Sequence, residues 1–218
     1  MRKTAYATAF ASVLWAAAAA LPAQATMVPA GGELDFTVLR DGADVGSHRI
    51  DFHQNGDQLE VDIKTRIAVK LAFITVFRFE HDGHEVWQDN KLVAMQTKTH
   101  DDGDDHTLVA TANGNGELNI VGDGQERAAK GSVIPASLWN STFLESKELL
   151  NSLVGTDLNI TIAYKGEEQV KVNGAEVTAK HYSMTGEFER ELWYDKDWVL
   201  VKIAFKAEDG SDIQYVRR

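Results

Sequence analysis

The 218-residue chain carries 33 acidic against 22 basic side chains, a formal charge of -11, which excludes nucleic acid as a partner and argues against docking on an anionic lipid surface. With 44% apolar residues it is large enough to bury one sizeable core and does not require a second domain. It has no cysteine, so disulfides, thiol catalysis, thiolate metal sites and lipid attachment to an N-terminal cysteine are excluded.

The chain opens like a secretory leader: Arg2 and Lys3, an apolar stretch from Ala5 to Leu21, then Ala23-Gln24-Ala25 as a small-residue cleavage site. The stretch is alanine-rich, ends at Pro22 and falls short of the roughly 20 strongly apolar residues that a membrane span needs. Residues 1–25 are therefore expected to leave as a signal peptide, and 26–218 to form a single antiparallel β domain with no membrane span. The expected location is outside the cytoplasm, in the periplasm where the cell has two membranes.

From Glu33 onward, short alternating runs are separated by turn dipeptides. Leu34, Phe36 and Val38 precede a turn at Asp41-Gly42; Val45 to His53, with Ile50 and Phe52 on one face, ends at Asn55-Gly56. Next, Leu59, Val61, Ile63, Ile67, Val69 and Leu71 take one parity and Glu60, Asp62, Lys64, Arg66 and Lys70 the other, so one face is dry and one wet. Further strands are predicted at Thr75 to His81, His84 to Gln88, Leu92 to His100 and His106 to Ala112, joined at Asp82-Gly83, Asp89-Asn90 and Asp101 to Asp104. The glycine-rich stretch from Asn113 to Gly131 holds one more, around Leu118 to Val121. A helix is predicted over 142–152, with Thr142 and Glu145 as capping box, Phe143, Leu150 and Val154 on one side, and Gly155 as its stop. Alternation returns in Leu158 to Tyr164, in Val170 and Val172, in Val177 to Gly186, and in Val199 to Phe205 and Ile213 to Tyr215 around Asp209-Gly210. The expected fold is mainly β: a single curved antiparallel sheet or partly open β-barrel with one short covering helix.

Serine-hydrolase, zincin and nucleotide-binding readings lack their local motifs, and solvated strand faces account for the abundant carboxylates. If Asp82-Gly83 is a hairpin, the turns at 54–57, 82–83 and 101–104 share one end of the sheet. His53, His81, His84, His100 and His106 then crowd one rim beside aspartates, a donor set suited to a metal-dependent hydrolase, although the spacing fits no ligand template. No catalytic residue, metal ligand or cofactor is assigned from it. His48 shares parity with Ile50 and Phe52 and reads as a hydrogen-bonded core residue.

On the opposite rim, Leu71-Ala72-Phe73-Ile74 is apolar on both parities and has no Gly or Pro to turn it. Such a run is core, is covered by the helix or by the Ser137 to Asn140 loop, or borders a mouth that takes a greasy ligand. In the last case Leu71, Phe73, Ile74, Phe77 and Trp139 are the candidate ligand contacts, and the partner is an apolar small molecule or lipid. Trp87, Trp193 and Trp198 read as packing anchors. The leading expectation is a non-catalytic envelope binding protein. The alternatives are the hydrolase above and a protein–protein interaction module that pairs a sheet edge with an envelope partner.

Several runs together carry a resemblance: Arg40-Asp41-Gly42 with Val45-Gly46-Ser47-His48, Phe73 to Phe79 leading to Glu85-Val86-Trp87, Leu138-Trp139-Asn140, Leu192-Trp193-Tyr194-Asp195 and Ile213-Gln214-Tyr215. In these the chain resembles an uncharacterised family of exported bacterial proteins, a domain of unknown function, over essentially all of the mature sequence. The resemblance implies no activity, substrate or catalytic residue. At the level of fold the chain is similar to the curved, incompletely closed barrels of periplasmic lipoprotein carriers, which hold apolar ligands on a concave face.

Overall fold

The computed structural model describes residues 27–218; the predicted signal peptide, with its cleavage site at Ala23 to Ala25, lies outside the described residues. Strands form because side chains alternate between a dry and a wet face, and each tight turn is set by residues that tolerate positive φ, such as Asp41-Gly42 and Asn173-Gly174. The first eight are β1 (Glu33–Arg40), β2 (Ala43–Asn55), β3 (Gln58–Leu71), β4 (Ile74–Gln88), β5 (Lys91–Asp101), β6 (Asp104–Ala112), β7 (Glu117–Gly122) and β8 (Gln125–Lys130). A connecting segment then leads to β9 (Glu148–Leu150), β10 (Asp157–Val172), β11 (Ala175–Gly186), β12 (Arg190–Tyr194), β13 (Leu200–Lys206) and β14 (Asp212–Arg217).

Among the described residues these fourteen strands make one antiparallel sheet, ordered β8 to β1 and then β14 to β9. Two meanders, each zigzagging away from a shared centre, meet where β1 pairs with β14. The sheet curls so that one face becomes an interior, holding Leu34, Phe36, Ile50, Val61, Leu108, Ile120, Leu192 and Ile203. On the opposite face of β12 and β13, the distal part of the β10–β11 hairpin packs a second small core, Val170 and Ala179 against Trp193 and Val201.

Among the described residues no ladder joins the two edges of the sheet; a loop does. Residues 151–156 lie across the inner side of β5 to β7, where Thr97 Oγ1 donates to the Ser152 carbonyl at 2.8 Å. Arg127 on β8 donates to the Gly155 carbonyl at 2.6 Å and pairs with Asp157. The approach is so close that a Cβ on Gly122 would stand 1.9 Å from the Val154 carbonyl oxygen. The connecting segment and β9 also fill the interior, burying Leu138, Trp139, Phe143, Leu149 and Leu150.

Two expectations are corrected here. The helix predicted over 142–152 is a single 3-10 turn, Ser141–Glu145, capped by Asn140, whose side chain accepts from the Thr142 N–H at 3.1 Å. Beyond it the chain must stay extended, because Glu148–Leu150 pairs with Asp157 to Asn159 and covers the free edge of β10. Nor is Asp82-Gly83 a turn. Both residues lie within β4, paired with Lys64 and Ile63 on one side and with Lys98 and Thr97 on the other. Glycine serves there for space: a Cβ on Gly83 would sit 3.2 Å from His81 Nε2. Strands β8 and β12 went unassigned in the sequence.

The closing contact is testable. Gly122→Ala is expected to cost about 1–3 kcal/mol in urea unfolding, because a methyl group is forced into the Val154 backbone. Gly31→Ala, with nothing near its Cβ position, should stay within about 0.5 kcal/mol of the parent.

Candidate functional site

The interior is built in rungs that run across neighbouring strands. One rung is Val61, Glu85, Met95, Ala110 and Ile120; the next is Ile63, Gly83, Thr97, Leu108 and Gly122. Above them stands a polar rung, His48, Thr65, His81, Thr99 and His106. Beyond that, apolar pairs resume as Ile67 with Phe79 and Val69 with Phe77, all half-buried.

These last pairs project past their neighbours. Strand β2 leaves β3 after Gly46 pairs with Ile67, and β5 leaves β4 after Asp101 pairs with Phe79. Only glycine fits at that departure, since a Cβ on Gly46 would meet the Arg66 carbonyl oxygen at 2.0 Å. Beyond Arg78, whose carbonyl accepts from the Asp102 N–H at 2.8 Å, the β3–β4 hairpin pairs only with itself and forms a finger. It turns at Ala72, in the left-handed region at φ 54°, and Phe73. Leu71, Phe73, Ile74 and Val76 are exposed at 72%, 101%, 71% and 50%. Among the described residues nothing covers the run, so neither the covered nor the core reading of it holds.

Of the five predicted contacts, Leu71, Phe73 and Ile74 thus share the fingertip, and Phe77 lies on the inward face of the same finger. Trp139 is elsewhere. It is buried at the opposite end of the barrel, edge-on to Phe52 and Trp87 with ring centroids 5.3 and 5.4 Å away.

The polar rung forms the floor of the finger end. His48 Nδ1 and Thr65 Oγ1 are 2.8 Å apart, as are His81 Nδ1 and Thr99 Oγ1. Burial pushes the His48 imidazole down to about 3, with the nearby His81 adding to the effect. Burial likewise takes His81 to about 4, Asp82 opposing and Arg66 assisting. Both rings are therefore neutral at neutral pH. Tyr215 meets His48 edge-on at 5.4 Å, and burial raises its hydroxyl to about 12.

The histidine rim does not form, because β4 runs straight through Asp82-Gly83. His81 and His106 face inward on the polar rung. His53, His84 and His100 face outward, the first two beside Asp62 and the last beside Asp105. Among the described residues no group of three or more His, Cys, Asp or Glu is placed to hold a metal ion.

Sequence reasoning missed Glu85, a fully buried carboxyl in the tryptophan end. Trp87 Nε1 and Trp139 Nε1 both donate to its Oε2, at 2.8 and 3.0 Å, while Oε1 has no hydrogen-bond partner among the described residues. Burial pushes its pKa up, against the two indoles and the Ser137 hydroxyl, which stands nearby without closing a hydrogen bond. The signal was parity: Glu85 shares a face with Phe77, Phe79, His81, Gly83 and Trp87. A cleft of about 270 Å³, lined by Val28, Leu59, Trp87 and Trp139 among others, opens over this end.

A family described as "Domain of unknown function (DUF6134)" matches residues 36–218. The chain belongs to that family. No curated protein matches this DUF6134 chain. Among solved structures it is similar to a β-barrel-like protein of another domain of unknown function, DUF1849, from Brucella abortus. The TM-score is 0.58 at 8% identity, over 85% of this chain and 94% of that one. At that identity the likeness establishes the fold alone.

Two pH effects follow from the buried groups. Glu85 has a raised folded pKa, so its contribution to stability is complete below about 4.5 and is lost as pH rises. Glu85→Gln should therefore melt higher than the parent at neutral pH, with the gap closing toward pH 4.5. His48 and His81 have lowered folded values, so their contribution is present above about 6.5 and lost as pH falls toward 4 and 3. His48→Gln should flatten that acid limb by up to one proton, about 1.4 kcal/mol per pH unit, in chemical unfolding measured at successive pH values.

Proposed function

We propose that this DUF6134 chain is an exported, non-catalytic binding protein that holds an apolar or amphipathic small molecule at the finger end of its barrel. The observation that carries the reading is the inward ladder continuing out of the core. Ile67 with Phe79 and Val69 with Phe77 stand above a polar floor in which His48 and His81 are uncharged, and lead to a solvent-exposed tip. Burying a side chain such as Leu71, Phe73 or Ile74 is worth about 1.5–3 kcal/mol. A greasy molecule lying along the finger would recover part of that from each residue it covers.

The floor suits an amphipathic molecule better than a wholly apolar one. His48 and His81 are uncharged, so they do not demand a counter-ion, yet their ring nitrogens and the threonine hydroxyls can meet a polar group. Export is supported by the leader-like first 25 residues, and it makes the periplasm the place of action in a two-membrane cell.

Native mass spectrometry of gently purified protein is expected to show a bound small molecule. Delipidated protein should take up the neutral probe N-phenyl-1-naphthylamine with enhanced fluorescence. Val69→Asp and Phe77→Asp should abolish uptake with little change in melting temperature, since both side chains are only half-buried. Protein with no added mass and no probe uptake would remove the reading.

A further inference from the structure

Among the described arginines, Arg190 and Arg217 form no ion pair, and Arg190 is the one whose guanidinium packs on aromatic rings. Arg40, Arg49, Arg66, Arg78, Arg127 and Arg218 each meet a carboxylate. Arg190, in a chain with 33 acidic residues, has no carboxylate within ion-pair distance among the described residues. It shares the inward parity of Leu192 and lies opposite the buried Met184 across the β11–β12 ladder. Its guanidinium carbon packs on the rings of Phe188 and Phe205, 4.0 and 3.8 Å from their centroids.

Rings stacked on a guanidinium cover its faces and leave its N–H groups to bond in the plane. Of the five donors, one is used: Nη1 donates to the Glu189 carbonyl at 2.6 Å. Burial without a counter-ion pushes the Arg190 pKa down to about 10, so it remains a cation at neutral pH. Tyr215 is close enough for the guanidinium to favour its phenolate, and its hydroxyl has no hydrogen-bond partner among the described residues. Phe205 pairs with Ile213, and Ile213 with Arg40 beside the β1–β2 turn, which places Arg190 at the finger end of the barrel. Asp101, at the same end, is drawn toward its neutral form, chiefly by burial, with His106 opposing and Asp102, Asp104 and Glu208 adding.

We infer that Arg190, with Tyr215 beside it, is the receptor for the anionic head of an amphipathic ligand, a carboxylate or a phosphate whose apolar body lies along the Ile67, Val69, Phe77 and Phe79 face of the finger. This rests on the binding reading above and deepens it. A planar fork with free N–H groups accepts two oxygens of one carboxylate or phosphate, and the half-buried setting strengthens each charge-assisted bond. The phenyl rings do double duty, holding the fork in one orientation and presenting apolar surface to the first carbons of the chain.

The test is displacement of N-phenyl-1-naphthylamine from delipidated full-length protein by decanoate, decyl phosphate, decanol and inorganic phosphate. Decanoate and decyl phosphate are expected to displace it at concentrations at least about tenfold below decanol, the worth of one charge-assisted hydrogen bond. Arg190→Met should erase that preference while leaving displacement by decanol unchanged. Arg190→Lys, which keeps the charge and loses the fork, should retain part of it, and it carries the test where Arg190→Met fails to fold. Equal displacement by decanoate and decanol in the parent overturns the role of Arg190 and leaves the binding reading standing. Displacement by inorganic phosphate at the same concentrations overturns the amphiphile in favour of a free anion. Failure of the probe to bind at all overturns both readings.

Discussion

Everything at the finger end depends on the pairing of the first strand with the last. β1 and β14 meet in a five-residue register from Phe36 with Arg217 to Arg40 with Ile213. That ladder is the hinge line between two meanders whose outer edges are joined by the 151–156 loop and the Arg127–Asp157 pair. It is fastened at both ends. Arg218 N–H donates to the Asp35 carbonyl at 2.8 Å and its Nε to Thr37 Oγ1 at 2.8 Å. At the other end the Asp41 N–H donates to the Asp212 carbonyl, the Asp212 N–H returns to Asp41 Oδ1, and Arg40 pairs with Asp209. Because β1 and β14 lie at opposite ends of the described chain, loop-closure entropy is paid before this seam rewards it, while each meander closes through short hairpins. The finger belongs to one meander and Arg190 to the other, so the seam is what brings them to the same end of the barrel.

Buried polar groups then hold the register that the seam requires. In a sheet with one dry face, slipping a strand by one residue would turn its whole inward set to solvent. Here the penalty is larger than lost apolar burial, because His48 would leave Thr65, His81 would leave Thr99 and Glu85 would leave the Trp139 indole. Each pair reaches between neighbouring strands, or from β4 to the connecting segment in the case of Trp139. The polar rung is thus an alignment device as well as a floor, and it keeps β2 to β6 in step up to the level where the finger departs.

Much of this was legible in the sequence, and the failures have physical causes. Period-two burial placed Val61, Ile63, Ile203 and His48 correctly, because a half-buried strand leaves no other reading. It erred at Asp82-Gly83, where a turn dipeptide serves instead as space for an imidazole in mid-strand, and that single break scattered the histidine rim. The capping pattern at Thr142 and Glu145 was overruled by tertiary demand, since Leu149 and Leu150 had to reach the interior in extended form beside β10. Glu85 was hidden by the abundance of acids, although its parity marked it. Arg190 was hidden differently: sequence shows that a cation is present, but only coordinates show that, among the described residues, no carboxylate lies within ion-pair distance of it.

The two ends of the barrel show what the same alternation rule does under different neighbours. At one end the inward ladder meets the connecting segment, and Trp139 with Trp87 and Phe52 seals it around a carboxyl, leaving a shallow cleft. At the other the ladder continues past the last residues of β2 and β5 that could cover it, so Ile67, Val69, Phe77 and Phe79 are only half-buried and the tip is bare. Stability alone would favour polar residues there, as in the aspartate-rich turns nearby. Retaining an apolar face up to Phe73, opposite an arginine with free donors, costs solubility and desolvation in the empty protein. Both costs would fall if the proposed amphipathic anion lay between the finger and Arg190, and that shared relief is the physical reason for proposing them as one site.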